Sequence, residues 1–439
     1  MKRLLAIILA AFMALSLVAC EKEPEGIFPD DYDVSALTNP EIKYTLEELE
    51  TLSKTELAAD SVDAPALYKY FNNMKIGCAF GYNQCTNLNT PVAKSLLKHY
   101  NVFVLGNECK PAYINPAEGV FYFDDVDGFV EFGELNDVTL RGHTLLWHAQ
   151  TPDWWYKADP ADTRTVRECY EQGALATREQ LTERITTFIT EYVTRYKDDI
   201  DVWDLCNEVL NADSIRTVND DSYWAEIIGD VDGNGYKDDY VELVANVARA
   251  ADEDAILVIN DFNMEWQASK TQAMYDMMER MFRKGVRIDG VGFQSHIGLD
   301  CNVELYRSQI EKIAGLAEIY DECFPEYKGN FRVQITELDM NMFVGSNSDG
   351  AFYKWTDEDY EKQAEKYAEL FDMFQDFADE GVIDMVVLWG TDDGNSWLNS
   401  TPKLRRNAAM IVLREEEGFL LKPCFWSIAR TSFDHYTVE

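Results

Sequence analysis

Basic residues are scarce in this chain: Lys and Arg number 39 against 79 Asp and Glu, a formal net charge of -40. A field of that sign repels phosphate backbones and anionic headgroups, which argues against nucleic acid as a partner and suits an uncharged substrate. Proline (12) and glycine (24) are too sparse for a fibrous or low-complexity protein. With 46% hydrophobic and 13% aromatic residues, the 439-residue chain has the material for a large core. Beyond the amino terminus no apolar run is long enough to cross a membrane. A Gly-rich phosphate turn is also missing, since Gly77 and Gly81 do not make G-x-G-x-x-G. Histidine is rare, with five residues in all. Their positions therefore carry information.

The one long apolar run, Leu4 to Ala19, follows Lys2 and Arg3 and is short for a membrane span, which is the pattern of an export signal. It closes on Leu17-Val18-Ala19-Cys20, which resembles a bacterial lipobox. The expectation is a lipoprotein signal peptide over 1–19, with a lipidated Cys20 heading an acidic tether over 20–62. A catalytic domain then fills 63–439, and the protein is extracytoplasmic, anchored to a membrane or cell surface through Cys20. Eight cysteines remain, without the spacing of a disulfide framework. Cys109 and Cys206 read as small buried residues in strand segments. Cys78 with Cys85, and Cys301 with Cys323, stay open as pairs.

Short aliphatic, β-branched runs recur along the chain: Lys75–Phe80, Val102–Leu105, Thr139–Leu146, Asp201–Cys206, Ala255–Ile259, Gly290–Phe293, Phe331–Ile335 and Asp384–Leu388. Between them lie segments of helical periodicity, among them Arg178–Tyr196, Tyr240–Ala251, Thr271–Lys284, Ser308–Tyr320 and Asp357–Glu380. Regular alternation implies parallel strands with right-handed crossovers. Eight units predict an α/β fold, a (β/α)8 TIM barrel forming a single catalytic domain, larger than the typical ~250 residues. A doubly wound open sheet is the competing topology, weakened by the missing phosphate turn.

Barrel enzymes build their sites at the carboxyl ends of the strands. Here those ends read Asn107-Glu108-Cys109-Lys110, His143 through His148, Asn207-Glu208, Asn260-Asp261-Phe262-Asn263, Gln294-Ser295-His296, Thr336-Glu337-Leu338-Asp339 and Trp389 through Asp393. Glu208 ends the fourth strand and Glu337 the seventh, so the two can face each other across the mouth. Cleaving an acetal needs a proton on the leaving oxygen and negative charge beside the oxocarbenium-like centre, and two carboxyls supply both. A lone strand-end Glu more often pairs with a loop. His143 and His148 could instead be metal ligands, but on a strand a five-residue spacing puts them on opposite faces, and no third ligand is evident. No metal and no cofactor are expected. Trp154, Trp155 and Trp203 are read as packing residues.

In these motifs, together with Arg141-Gly142-His143-Thr144-Leu145-Leu146-Trp147-His148 and Trp203-Asp204-Leu205-Cys206-Asn207-Glu208, the chain from about Leu67 to Ala429 resembles glycoside hydrolase family 10, the endo-β-1,4-xylanase family. The resemblance implies a retaining hydrolysis of internal xylosidic bonds in xylan or xylo-oligosaccharides; a monomer is expected. Glu208 would be the acid/base and Glu337 the nucleophile, with carboxyls about 5 to 5.5 Å apart. It gives supporting roles to Asn207, which would bond the sugar 2-hydroxyl, and to His296 backed by Asp339. Asn107, Lys110, His143 and Gln294 would line the non-reducing side, with Trp147, Trp389 and Trp397 as aromatic walls suited to pyranose C–H faces. Other functions considered are a related retaining β-1,4-glycanase or aryl-glycosidase and a non-catalytic glycan-binding protein, the last disfavoured because both carboxylates are present.

Two departures stand out. Gly106 occupies the place where many members of the family carry a sugar-contacting Glu, which leaves room for a substituted xylose. Phe262 replaces a frequent Tyr. Separately, Asp230-Val231-Asp232-Gly233-Asn234-Gly235 with Asp238 and Asp239 resembles a calcium loop, but Val241 stands where the bidentate carboxylate belongs and Glu242 comes one residue late. A Gly/Asn/Asp surface turn is the other reading.

Overall fold

The computed structural model describes residues 64, 66–84, 86–343, 355–399, 407, 409–415 and 418–435. The segment 1–62, with Cys20, and also Cys85 lie outside the described residues. Eight short strands form the centre: β1 (Lys75–Phe80), β2 (Val102–Leu105), β3 (Thr139–Gly142), β4 (Val202–Asn207), β5 (Ile256–Asp261), β6 (Gly290–Phe293), β7 (Arg332–Asn341) and β8 (Ile383–Leu388). Each pairs in parallel with the next, and β8 pairs back onto β1 through Met385 with Lys75 and Leu388 with Cys78. The sheet is a closed (β/α)8 barrel. Strands such as Val-Phe-Val-Leu in β2 are apolar throughout because both of their faces are covered.

Helices occupy each crossover: α1 (Pro91–His99), α2 (Asp124–Asn136), α3 (Arg178–Tyr196), α4 (Asp239–Ala251), α5 (Ala268–Arg283), α6 (Val303–Ala314), α7 (Leu316–Cys323) and α8 (Asp357–Asp379), with α9 (Pro423–His435) after β8. Several starts are written in the sequence. Thr90 caps α1 ahead of Pro91, while Thr177 with Gln180 and Thr356 with Asp359 make reciprocal capping boxes on α3 and α8. Apolar faces of these helices pack on the outside of the barrel in one large core; a smaller cluster of Ala79, Val102, Val104, Val202, Val258, Met385 and Val387 forms separately among the strands.

Four expectations need correction. The third strand ends at Gly142, where any side chain would collide with the Trp203 ring, a Cβ lying only 2.2 Å from it. His143 and His148 are thus beyond the strand, and the opposite-faces argument does not apply to them. The seventh strand runs on to Asn341 because Asp339, Met340 and Asn341 pair with a short strand at His296–Gly298. The segment Ser308–Tyr320 is two helices broken at Gly315, a weak helix former. Cys109 is buried but lies in a turn rather than a strand; Cys301 and Cys323 are unbonded thiols, as is Cys78. Trp154, Trp155 and Trp203 are core residues, as read from the sequence.

Candidate active site

Because the strands are parallel, all eight carboxyl ends open on one face, and a cleft of about 870 Å³ lies there. Glu208 and Glu337, their supports Asn207, His296 and Asp339, and Asn107, Lys110, His143, Trp147, Gln294, Trp389 and Trp397 all line it.

Glu208 follows β4 directly and holds a left-handed backbone (φ 57°), fixed by its N–H donating to the Asn260 carbonyl at 2.8 Å. A non-glycine residue in that region is strained, and such strain gathers where a side chain must be aimed. The Glu208 carboxyl receives the Gln294 amide at 3.4 Å and the Asn207 amide at 3.5 Å, with the Arg216 guanidinium 3.7 Å from its second oxygen. Burial pushes its pKa up, and the charges of Asp261 and Glu337 push the same way; Arg216 and the Gln294 hydrogen bond oppose them without reversing the direction.

Glu337, inside β7, is more deeply enclosed. Asn260 donates to one oxygen at 2.7 Å, and His296 Nε2 stands 3.2 Å from the other. Burial alone would raise this carboxyl, but the His296 hydrogen bond and the electrostatic influence of His143 and His296 outweigh it and hold the pKa below the ordinary value. His296 Nδ1 lies 3.0 Å from Asp339 Oδ1, close enough for ion pairing though off the line of an ideal hydrogen bond. Burial would lower the imidazole pKa; Asp339 and Glu337 together lift it well above its usual value. Asp339 is fixed in turn by the Trp397 indole N–H at 2.6 Å.

Between the two carboxyls run side-chain amides. Asn207 Oδ1 accepts from Asn260 at 2.9 Å and from Gln294 at 3.1 Å, so one amide oxygen ties the donor on Glu337 to the donor on Glu208. On the wall towards β2, Lys110 Nζ donates to Asn107 (3.2 Å) and Gln150 (2.7 Å) and stands 4.7 Å over the Trp147 ring. Burial pushes its pKa down to about 8 against the pull of Glu337, Glu208 and Glu108. His143 Nδ1 lies 2.8 Å from Asp204, which also grips Arg141, and its ring meets Trp389 edge-on at 5.2 Å.

Sequence reasoning assigned no role to Asn260, Asp204, Gln150 or Arg216. Asn260 and Asp204 sat within quoted motifs. Arg216 carried a weak signal, a cation eight residues after Glu208 in a chain short of cations.

A sequence model of glycosyl hydrolase family 10 matches residues 65–431. The chain belongs to that family. The family 10 chain is 35% identical over 389 residues to endo-1,4-beta-xylanase C of Paenibacillus barcinonensis, covering 87% of this chain and 33% of the relative. It thus spans about a third of the length of the first curated relatives it matches. Among solved structures, a family 10 structure from Paenibacillus barcinonensis superposes with a TM-score of 0.75 at 36% identity, covering 84% of this chain and 98% of that one. The intracellular xylanase of Thermoanaerobacterium saccharolyticum, as a mutant in complex with xylotetraose, gives a TM-score of 0.68 at 34% identity, covering 83% and 98%.

The acidic loop is a surface turn in form. Asp230 accepts from the N–H groups of Gly233, Asn234 and Gly235. Its carboxyl lies near those of Asp232 and Asp239, and the Lys284 ammonium, close to Asp232, Asp239 (3.1 Å) and Glu242 (3.0 Å), already supplies positive charge to the group.

Proposed function

We propose that this family 10 chain is a retaining endo-β-1,4-xylanase. The observation that carries the reading is the pair of carboxyls joined by amides, one pushed towards the protonated form and the other held ionised. Ionised Glu337 attacks the anomeric carbon while Glu208 passes its proton to the glycosidic oxygen; the bond to the leaving chain breaks and a glycosyl ester forms on Glu337. Glu208, now a carboxylate, takes a proton from water as that water displaces Glu337, which restores both groups. Asn207, poised between them, bonds the sugar 2-hydroxyl. Xylan as substrate is supported by the name of the Paenibacillus relative and by the xylotetraose held by the Thermoanaerobacterium neighbour.

Gly106 lines the cleft, and a Cβ there would meet only the Phe80 carbonyl at 3.7 Å, so open space stands beside Asn107. That space admits a substituted xylose. Residues 63–439 constitute the catalytic barrel and act as a monomer. The amino-terminal pattern fits export and lipid attachment at Cys20, and retention of the protein in the membrane fraction, lost in Cys20→Ala, would test the anchor. Digestion of glucuronoxylan, arabinoxylan and cellulose side by side tests the substrate. Internal cleavage of both xylans with retention of anomeric configuration is expected. Cleavage of cellulose alone would overturn the xylanase reading, and loss of all cleavage next to substituted units would end the role given to Gly106.

A further inference from the structure

Two tryptophans among the described residues are exposed, Trp397 at 48% and Trp266 at 55%. Both indoles are built alike. Trp397 donates its N–H to Asp339, meets the His296 ring edge-on at 5.0 Å and lines the cleft. Trp266 donates its N–H to the Asn263 side chain at 3.3 Å, and Asn263 lines the cleft at the carboxyl end of β5. Nothing about this loop is slack. Asn263 holds a left-handed backbone (φ 63°), and Met264 and Glu265, immediately before Trp266, are buried. Glu265 accepts the Ser295 N–H at 2.6 Å, and the Met264 carbonyl accepts the Thr271 hydroxyl at 2.9 Å. An indole this large, exposed on a fixed loop of a strongly acidic protein, loses hydrophobic burial that a neighbouring core position would have given.

Its direction from the chemistry follows from Glu208. The proton donor must stand beside the leaving oxygen, so the leaving chain departs past the groups around Glu208. Arg216, which donates to the Glu208 carbonyl at 2.8 Å, lies over Phe262, and Phe262 and Asn263 form the cleft wall there. Trp266 follows four residues after Phe262 on the same loop and is tied to that wall through Asn263. We propose that Trp266 is a distal platform on the leaving-group side, its indole face stacking on a pyranose ring beyond the one that meets Phe262 and Asn263. The proposal rests on the xylanase reading above and adds to it a preference for long chains.

The test compares wild type, Trp266→Ala and Trp266→Phe on xylohexaose and on 4-nitrophenyl β-xylobioside, whose leaving group is a single ring and so, under the proposal, does not reach a platform beyond the ring that meets Phe262 and Asn263. The ratio of kcat/KM on xylohexaose to kcat/KM on the aryl glycoside is expected to fall about 3- to 10-fold in Trp266→Ala, the worth of one stacked ring, with Trp266→Phe in between. Reducing-end-labelled xylohexaose should also be cut closer to its labelled end by the alanine variant. An unchanged ratio and cutting pattern, or equal losses on both substrates, would overturn the platform. Absence of wild-type turnover on xylohexaose would defeat the xylanase reading and the platform with it; wild-type turnover with an unchanged ratio defeats the platform alone.

Discussion

On the β4–β5 side of the cleft the Glu208 carboxyl meets long, weak contacts from two amides and a guanidinium 3.7 Å away, on a strained backbone at the end of its strand. On the β6–β7 side Glu337 is set within a strand and held by an amide at 2.7 Å and an imidazole that itself leans on Asp339. The same functional group is therefore loosely held at Glu208 and tightly held at Glu337, which suits the proton transfer and the persistent charge that the proposed mechanism asks of them. Burial raises both carboxyls; what separates them is the presence of a close cationic hydrogen-bond donor on one side only.

The sharpest way to break this contrast is Glu337→Ala. It should cost at least about 10⁴-fold in kcat on every substrate while circular dichroism stays native, since the proposed glycosyl ester forms on this carboxylate. Wild-type-like xylan hydrolysis would sink the assignment. Glu208→Ala should be milder and selective: about 10²- to 10⁴-fold on xylan, where the leaving alcohol needs a proton, and far less on 4-nitrophenyl glycosides, whose leaving group needs none. Equal losses on the two substrates would mean that Glu208 does not deliver the proton. The smallest effect is expected from Arg216→Met. Removing a positive charge disfavours the ionised carboxylate, so the pKa of Glu208 should rise and the alkaline limb of the kcat/KM profile, where the acid is lost, should move to higher pH. The acidic limb, which reports Glu337, should stay in place. Movement of the alkaline limb to lower pH would contradict the role of Arg216.

Much of the barrel was legible because parallel strands buried on both faces announce themselves as aliphatic runs: β1, β2 and β6 fall on the expected residues. β7 was cut short because Thr336, Glu337 and Asp339 are polar residues in a buried strand, and composition reads such a stretch as loop. β3 was overextended because the apolar pair Leu145 and Leu146 continues its pattern after the chain has left the sheet. The cleft residues named in advance were legible from their place at strand ends, except Trp397, which only the family resemblance supplied. Arg216, Gln150 and Asn260 were not assigned roles, because each matters through a partner 8, 40 or 77 residues away; the short spacing of Arg216 left a weak trace, and the longer separations of the other two left none.

The amide spacer has a further consequence. Asn207, Asn260 and Gln294 neither take up nor release protons at any pH where carboxyls titrate. In the proposed cycle Glu208 alternates between acid and base and Glu337 between free anion and ester, while the spacer keeps one unchanging proton inventory, so the interval between the two carboxyls is set by a part that such a reaction would not alter. An aspartate at position 207 or 260 would have nearly the same shape and would turn that fixed ruler into a third participant, its own charge state drifting with every half-cycle.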